Sequence, residues 1–107
     1  MNYENILSEI ESKEIISGFH GKFIHTQNTT MTFWEVDKGA ELPLHHHIHE
    51  QTTQIIEGEF EMTINDETKV YKPGSVLVIP SNIPHSGRAI TPCKIFDTFY
   101  PTREDYK

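Results

Sequence analysis

The sequence predicts an all-β fold, a small barrel or double-sheet jelly roll. Three features point there. Turn-forming residues recur about every 8–12 residues, and no long stretch carries a helical apolar period. Phe60, Met62 and Ile64 alternate with Glu59, Glu61 and Thr63, as in a strand with one wet face. A single chain of short antiparallel strands must also hide its edges, which closure into a barrel or jelly roll achieves.

Taken in order, Tyr3 to Ile16 places Ile6, Leu7 and Ile10 among glutamates and suggests one or two turns of amphipathic helix. Gly18-Phe19-His20-Gly21 reads as a turn. Phe23–His25 and Met31–Val36 read as strands, the second closed by Asp37-Lys38-Gly39. Thr53–Glu57 is a short strand ending at Gly58. Phe60–Ile64 follows and turns at Asn65-Asp66-Glu67 into Lys69–Lys72, which Pro73-Gly74 ends. Ser75–Ile79 is a continuous apolar run, expected to be buried on both faces. Pro80-Ser81-Asn82-Ile83-Pro84 breaks the chain, and His85–Ile90 and Lys94–Tyr100 are the last strands before a charged tail, Pro101–Lys107. Trp34, Phe33 and Phe99 read first as core aromatics.

At 107 residues one domain, 1–107, is expected. Nine Lys+Arg against 16 Asp+Glu give a net charge of −7, which argues against nucleic-acid binding. Cys93 is the single cysteine, so no internal disulfide forms. No apolar run approaches the ~20 residues of a membrane span, and the polar Met-Asn-Tyr-Glu-Asn start does not read as a signal peptide. A cytoplasmic protein is expected, with a second copy covering exposed strand edges as a homodimer.

Of seven histidines, four crowd into Leu44–Glu50. In a strand, residues two apart share a face, so His45 and His47 point the same way. Gln51 has the same parity and joins them after a turn at Ile48–Glu50, with Glu50 its carboxylate rival. His85, directly after Pro84, supplies a distant fourth group. A divalent ion wants three or four N/O ligands converging at about 2.0–2.3 Å, and two facing hairpins can provide them. A solvated surface patch is the plain alternative, and the second, spaced histidine weighs against it. His46 has the wrong parity, His49 falls in the turn, and His20 and His25 default to the surface.

In Cys93–Tyr100, Asp97 shares a face with Ile95 and Phe99. If that face lines the barrel, a carboxylate is buried and needs a partner or a raised pKa. A salt bridge to Arg103 or Arg88 would satisfy it structurally, and a catalytic role would use it. Arg88, three residues after His85, faces the other way and reads as a surface cation. Arg103 either folds over the barrel mouth, where its fork suits a carboxylate, or lies exposed beside Glu104 and Asp105.

These residues resemble the two cupin motifs. Gly39, His45, His47, Gln51 and Gly58 fall on the first (residues 39–58), and Gly74, Pro80, Asn82 and His85 on the second (residues 74–89). The departures are Gln51 for Glu, Asn82 for Gly and Ala89 for Asn. The resemblance implies a cupin jelly-roll barrel binding one divalent metal ion (Zn, Ni, Mn or Fe) through His45, His47, Gln51 and His85. All four ligands are neutral, so the ion's charge favours an anionic or chelating oxygen ligand. The chain from about Gly18 onward also resembles small single-domain cupins of pectin degradation, the KdgF-like proteins. Their Asp-x-Phe-x-x-x-Arg pattern is met by Asp97, Phe99 and Arg103. That resemblance implies linearisation of 4,5-unsaturated monouronates. Asp97 would then shuttle a proton, Arg103 hold the carboxylate of a small anionic sugar-type substrate, and Phe99 pack on the sugar ring. A metal-dependent dioxygenase and a non-catalytic binding module are the competing readings.

Overall fold

The computed structural model describes residues 3–107 as two antiparallel sheets facing each other. The strands are β1 (Lys13–Ile16), β2 (Phe19–His25), β3 (Thr30–Val36), β4 (Glu41–His45), β5 (Glu50–Glu57), β6 (Phe60–Ile64), β7 (Glu67–Tyr71), β8 (Val76–Ile79), β9 (His85–Ala89) and β10 (Cys93–Tyr100). Six form one sheet in the order β1-β2-β3-β10-β5-β8, and four form the other in the order β4-β9-β6-β7. This is the expected all-β jelly roll. Phe19, Val36, Ile55, Phe60, Met62 and Ile95 fill the space between the layers, where each fully buried apolar side chain contributes about 1.5–3 kcal/mol.

Several expectations are corrected. The N-terminal helix is a single 3-10 turn, Leu7–Glu9, with no side-chain cap and no buried residue. Uncapped and unpacked, it lacks both sources of helix stability, and Lys13–Ile16 pairs with β2 instead. The first hairpin turns at Ser17-Gly18, while Phe19, expected in the turn, is a buried strand residue. The run before Ile79 is buried on one face only: Val76 and Val78 are 62% and 63% exposed. β8 lies at a sheet edge, and among the described residues no second layer covers the sheet's outer face there. Phe33, expected in the core, lies on that outer face against Phe96, with ring centroids 4.8 Å apart.

Gly58 ends β5 at φ +88°, a left-handed conformation that penalises other residues. A Cβ there would strike the Pro92 carbonyl oxygen and approach the Thr91 Oγ1 at 2.8 Å. Gly58→Ala is therefore expected to lower stability by about 2–4 kcal/mol, combining backbone strain with overpacking. Urea unfolding checks this, and a midpoint equal to wild type would contradict it.

Candidate metal centre

Strand register brings the histidines together. β4 and β9 pair antiparallel, with Glu41 opposite Arg88 and Leu42 opposite Gly87. The register then shifts, and His45 comes directly opposite His85. Such a bulge re-aims a side chain at the end of a ladder. β4 stops at His45, so His47 sits beyond the strand rather than two places along it. Its ring nevertheless lies 5.6 Å from that of His45 and 5.1 Å from that of His85. One ligand atom from each of the three histidines lies within 4.8 Å of the others. Asn82, at φ +64°, takes the left-handed position that turns the chain toward His85.

The ring orientations suit a cation. Each Nδ1 meets a backbone carbonyl: His45 that of Pro43 at 2.8 Å, His47 that of His49 at 3.0 Å, and His85 that of Ile83 at 2.9 Å. A proton donated from Nδ1 leaves Nε2 with a bare lone pair, the arrangement usual for metal-binding histidines. The His85 Nε2 is buried and has no hydrogen-bond partner. Burial pushes the His85 pKa down to about 4 and also lowers that of His47, so protons do not compete for these nitrogens at neutral pH.

Gln51 joins them. It opens the inward face of β5 and is buried, whereas its rival Glu50 is exposed. Its Oε1 lies 3.1 Å from the His47 Nε2. Roughly 3 Å is the spacing of two adjacent ligands each about 2.1 Å from one ion. The donor set therefore fits a divalent cation: three imidazole nitrogens and one amide oxygen, with an orphaned nitrogen among them.

The remaining predicted residues line the same cavity of about 320 Å³. β10 runs between β3 and β5, placing Asp97 opposite Thr53 and Phe99 opposite Gln51. Asp97 is buried and accepts hydrogen bonds from the Thr53 hydroxyl at 2.6 Å and the Trp34 indole at 2.9 Å. Burial raises its pKa to about 6, against the pull of these donors and of Arg103. Among the described residues it forms no salt bridge with Arg103 or Arg88, and Arg88 is exposed.

Arg103 folds inward and is 7% exposed, which excludes the free-tail alternative. Its guanidinium lies 4.8 Å from the Phe99 ring and 4.1 Å from the Tyr106 ring. Nε and Nη2 already donate to the two oxygens of Asp105, at 2.9 and 2.7 Å. The Tyr106 side chain is a further hydrogen-bond partner of the same guanidinium.

His20 bonds Asp37 at 3.1 Å and His25 bonds Thr30 at 2.9 Å, away from the three-histidine cluster. His46 is exposed and His49 half-buried, and neither belongs to that cluster. Sequence reasoning missed Thr53, Asp105 and Tyr106 as cavity residues and assigned Trp34 to packing alone. The parity of Gln51, Thr53 and Ile55 was the available signal for Thr53. Nothing local signals Asp105 or Tyr106, because the tail returns through tertiary packing.

Among the described residues, no helix is long and apolar enough to cross a membrane. No curated protein sequence matches the chain. Among solved structures, an RmlC-like cupin from Shewanella frigidimarina superposes with a TM-score of 0.94 at 27% identity, covering 100% of this chain and 97% of that one. KdgF from Halomonas sp. superposes with a TM-score of 0.92 at 26% identity, covering 100% of both chains. Oxalate decarboxylase from Bacillus subtilis, with a TM-score of 0.78 at 20% identity, covers 89% of this chain and 28% of its own length and shares the fold. The cupin-domain family profile matches residues 32–99, and the chain belongs to the cupin family.

Proposed function

We propose that this cupin binds one divalent cation through His45, His47, His85 and Gln51 and linearises small 4,5-unsaturated sugar acids. The observation that carries the reading is the composition of one cavity. It joins a cation-ready donor set, a carboxyl with a pKa of about 6 and a buried guanidinium. Likeness to KdgF from Halomonas sp. over the full chain supports it.

The chemistry asks little of the protein beyond these groups. Opening the cyclic hemiacetal removes the proton of the anomeric hydroxyl and breaks the bond from the anomeric carbon to the ring oxygen. The resulting enolate, its charge on the former ring oxygen, becomes a ketone by taking a proton on C4. One proton leaves oxygen and one arrives at carbon, so a single carboxyl can serve both transfers. A pKa of about 6 keeps Asp97 within reach of both protonation states near neutral pH. Bound at the four ligands, a divalent ion supplies Lewis acidity for negative charge developing on a substrate oxygen. Arg103 offers the substrate carboxylate its guanidinium, and Phe99 offers an apolar wall. The cavity walls are largely apolar.

The test follows the ultraviolet absorbance of an unsaturated monouronate. Its decay is expected to accelerate well beyond the spontaneous rate, equally in air and under nitrogen, and to return to that rate after chelation. Decay at the spontaneous rate with metal-loaded protein would contradict the assignment. Oxygen-dependent turnover would point to a dioxygenase.

Arg103→Lys keeps the charge but loses the fork. It is expected to raise KM by about tenfold and to change kcat less, as for a binding contact made in both ground and transition states. Steady-state kinetics on the same substrate checks this, and an unchanged KM would remove Arg103 from substrate binding.

A further inference from the structure

A side-chain amide is an ambiguous metal ligand. Its two ends have nearly the same shape, but only the oxygen binds a cation. Something must hold the oxygen of Gln51 toward the histidines and its NH2 group away. We propose that Thr53 is that positioning residue, and that its hydroxyl fixes which end of the Gln51 amide faces the metal centre. The inference rests on Gln51 being a ligand.

The direction of the hydrogen bonds makes the argument. Gln51 and Thr53 are two apart on β5 and share its inward face. The Gln51 Nε2 donates to the Thr53 Oγ1 at 2.9 Å. The same oxygen lies 2.6 Å from the Asp97 Oδ1. The hydroxyl is the donor of that pair, so the one hydroxyl hydrogen of Thr53 goes to Asp97. Nothing remains for Thr53 to donate, and toward Gln51 it can only accept. A flipped amide would set its carbonyl against an oxygen with no hydrogen to offer. Asp97 is itself held by the Trp34 indole at its other oxygen, at 2.9 Å. The chain therefore runs in one direction, from the Gln51 NH2 through the Thr53 hydroxyl to Asp97. All four side chains are buried and line the cavity together.

The experiment titrates metal-free protein with Zn2+ against a chromophoric chelator. Thr53→Val keeps the shape and removes the hydroxyl. It is expected to weaken zinc binding about 10–100-fold, the range for partners that orient a metal ligand. Thr53→Ser is expected to bind within about threefold of wild type, since it restores the hydroxyl. In a Gln51→Ala background, Thr53→Val is expected to change affinity by less than about twofold, because its effect passes through the amide. Should Thr53→Val fail to fold by circular dichroism, Thr53→Ala takes its place in both backgrounds. Wild-type affinity in the Thr53 variant, or a loss that persists without Gln51, would overturn the inference while leaving Gln51 a ligand. Wild-type affinity in Gln51→Ala would remove Gln51 from the metal centre, and the role of Thr53 with it.

Discussion

Replacing His85 by alanine is expected to yield a folded protein that binds a divalent cation about a hundredfold more weakly. His85 sits on β9 opposite His45, is 1% exposed, and points a partnerless nitrogen into the cluster. Four-ligand structural zinc sites bind with about 10–16 kcal/mol, so one ligand of four accounts for roughly 3 kcal/mol, or about a hundredfold in affinity. Turnover should fall with it. The fold should tolerate the change better than most buried deletions, because the metal-free protein carries an unsatisfied nitrogen at that point. Stability against pH provides an independent check. The His85 pKa is about 4 in the folded protein, against 6.5 for an ordinary imidazole. Between those values the unfolded chain takes up a proton that the folded chain resists. The metal-free wild type therefore loses stability from this group as pH falls from about 6.5 toward 4, by about 3 kcal/mol in all. His85→Ala escapes that loss, so its stability relative to wild type should rise on acidification. Zinc affinity and a chelated urea series at pH 7 and pH 4.5 read both effects. Wild-type zinc affinity, or a pH-independent stability difference, would contradict the account.

The second large effect is at Asp97. Asp97→Asn is expected to lower turnover by about 10²–10⁴-fold, the usual worth of a positioned acid–base group. Metal affinity should change by less than about tenfold, since Asp97 is not itself one of the four ligands. The same substitution should stabilise the metal-free fold at neutral pH. The Asp97 pKa rises from 3.8 to about 6 on folding, so the folded state holds its proton more tightly than the unfolded state. Stability from this group is present below about pH 4 and is lost as pH rises through about 6. Above that, the buried carboxylate costs about 3 kcal/mol. Asparagine accepts one of the two bonds that Asp97 accepts, which costs about 1 kcal/mol. A net gain of about 1–2 kcal/mol at pH 7 should remain, shrinking as pH falls toward 4. Thermal unfolding with chelator at both pH values checks it. A variant less stable than wild type at pH 7 with unchanged turnover would make Asp97 a structural carboxylate.

The cluster of candidate metal ligands was legible because its signal is local twice over. His45, His47 and Gln51 lie within one short stretch, and His85 follows a turn whose Pro-x-Asn pattern marks it. The mechanism of convergence was less legible. Strand parity grouped His45 with His47, yet β4 ends at His45, and a register shift does the aligning. Parity on β10 grouped Asp97 with Ile95 and Phe99 and left open whether that face lines the barrel; the structure buries all three. It could not say that Thr53 and Trp34, rather than an arginine, would bond the carboxylate, since that depends on which strands flank β10. Apolarity misled at Val76, Val78 and Phe33, where a bare outer sheet face looks in sequence like a covered one. The tail was opaque for a related reason. The burial of Arg103 between Phe99 and Tyr106, and its pairing with Asp105, arise where the chain folds back on the barrel.

The most direct measurement is anomalous difference density from a crystal of the zinc-loaded protein. One peak per chain should lie about 2.0–2.3 Å from the Nε2 atoms of His45, His47 and His85 and from the Oε1 of Gln51. A peak ligated elsewhere, or no peak among these four side chains at saturating zinc, would contradict the account.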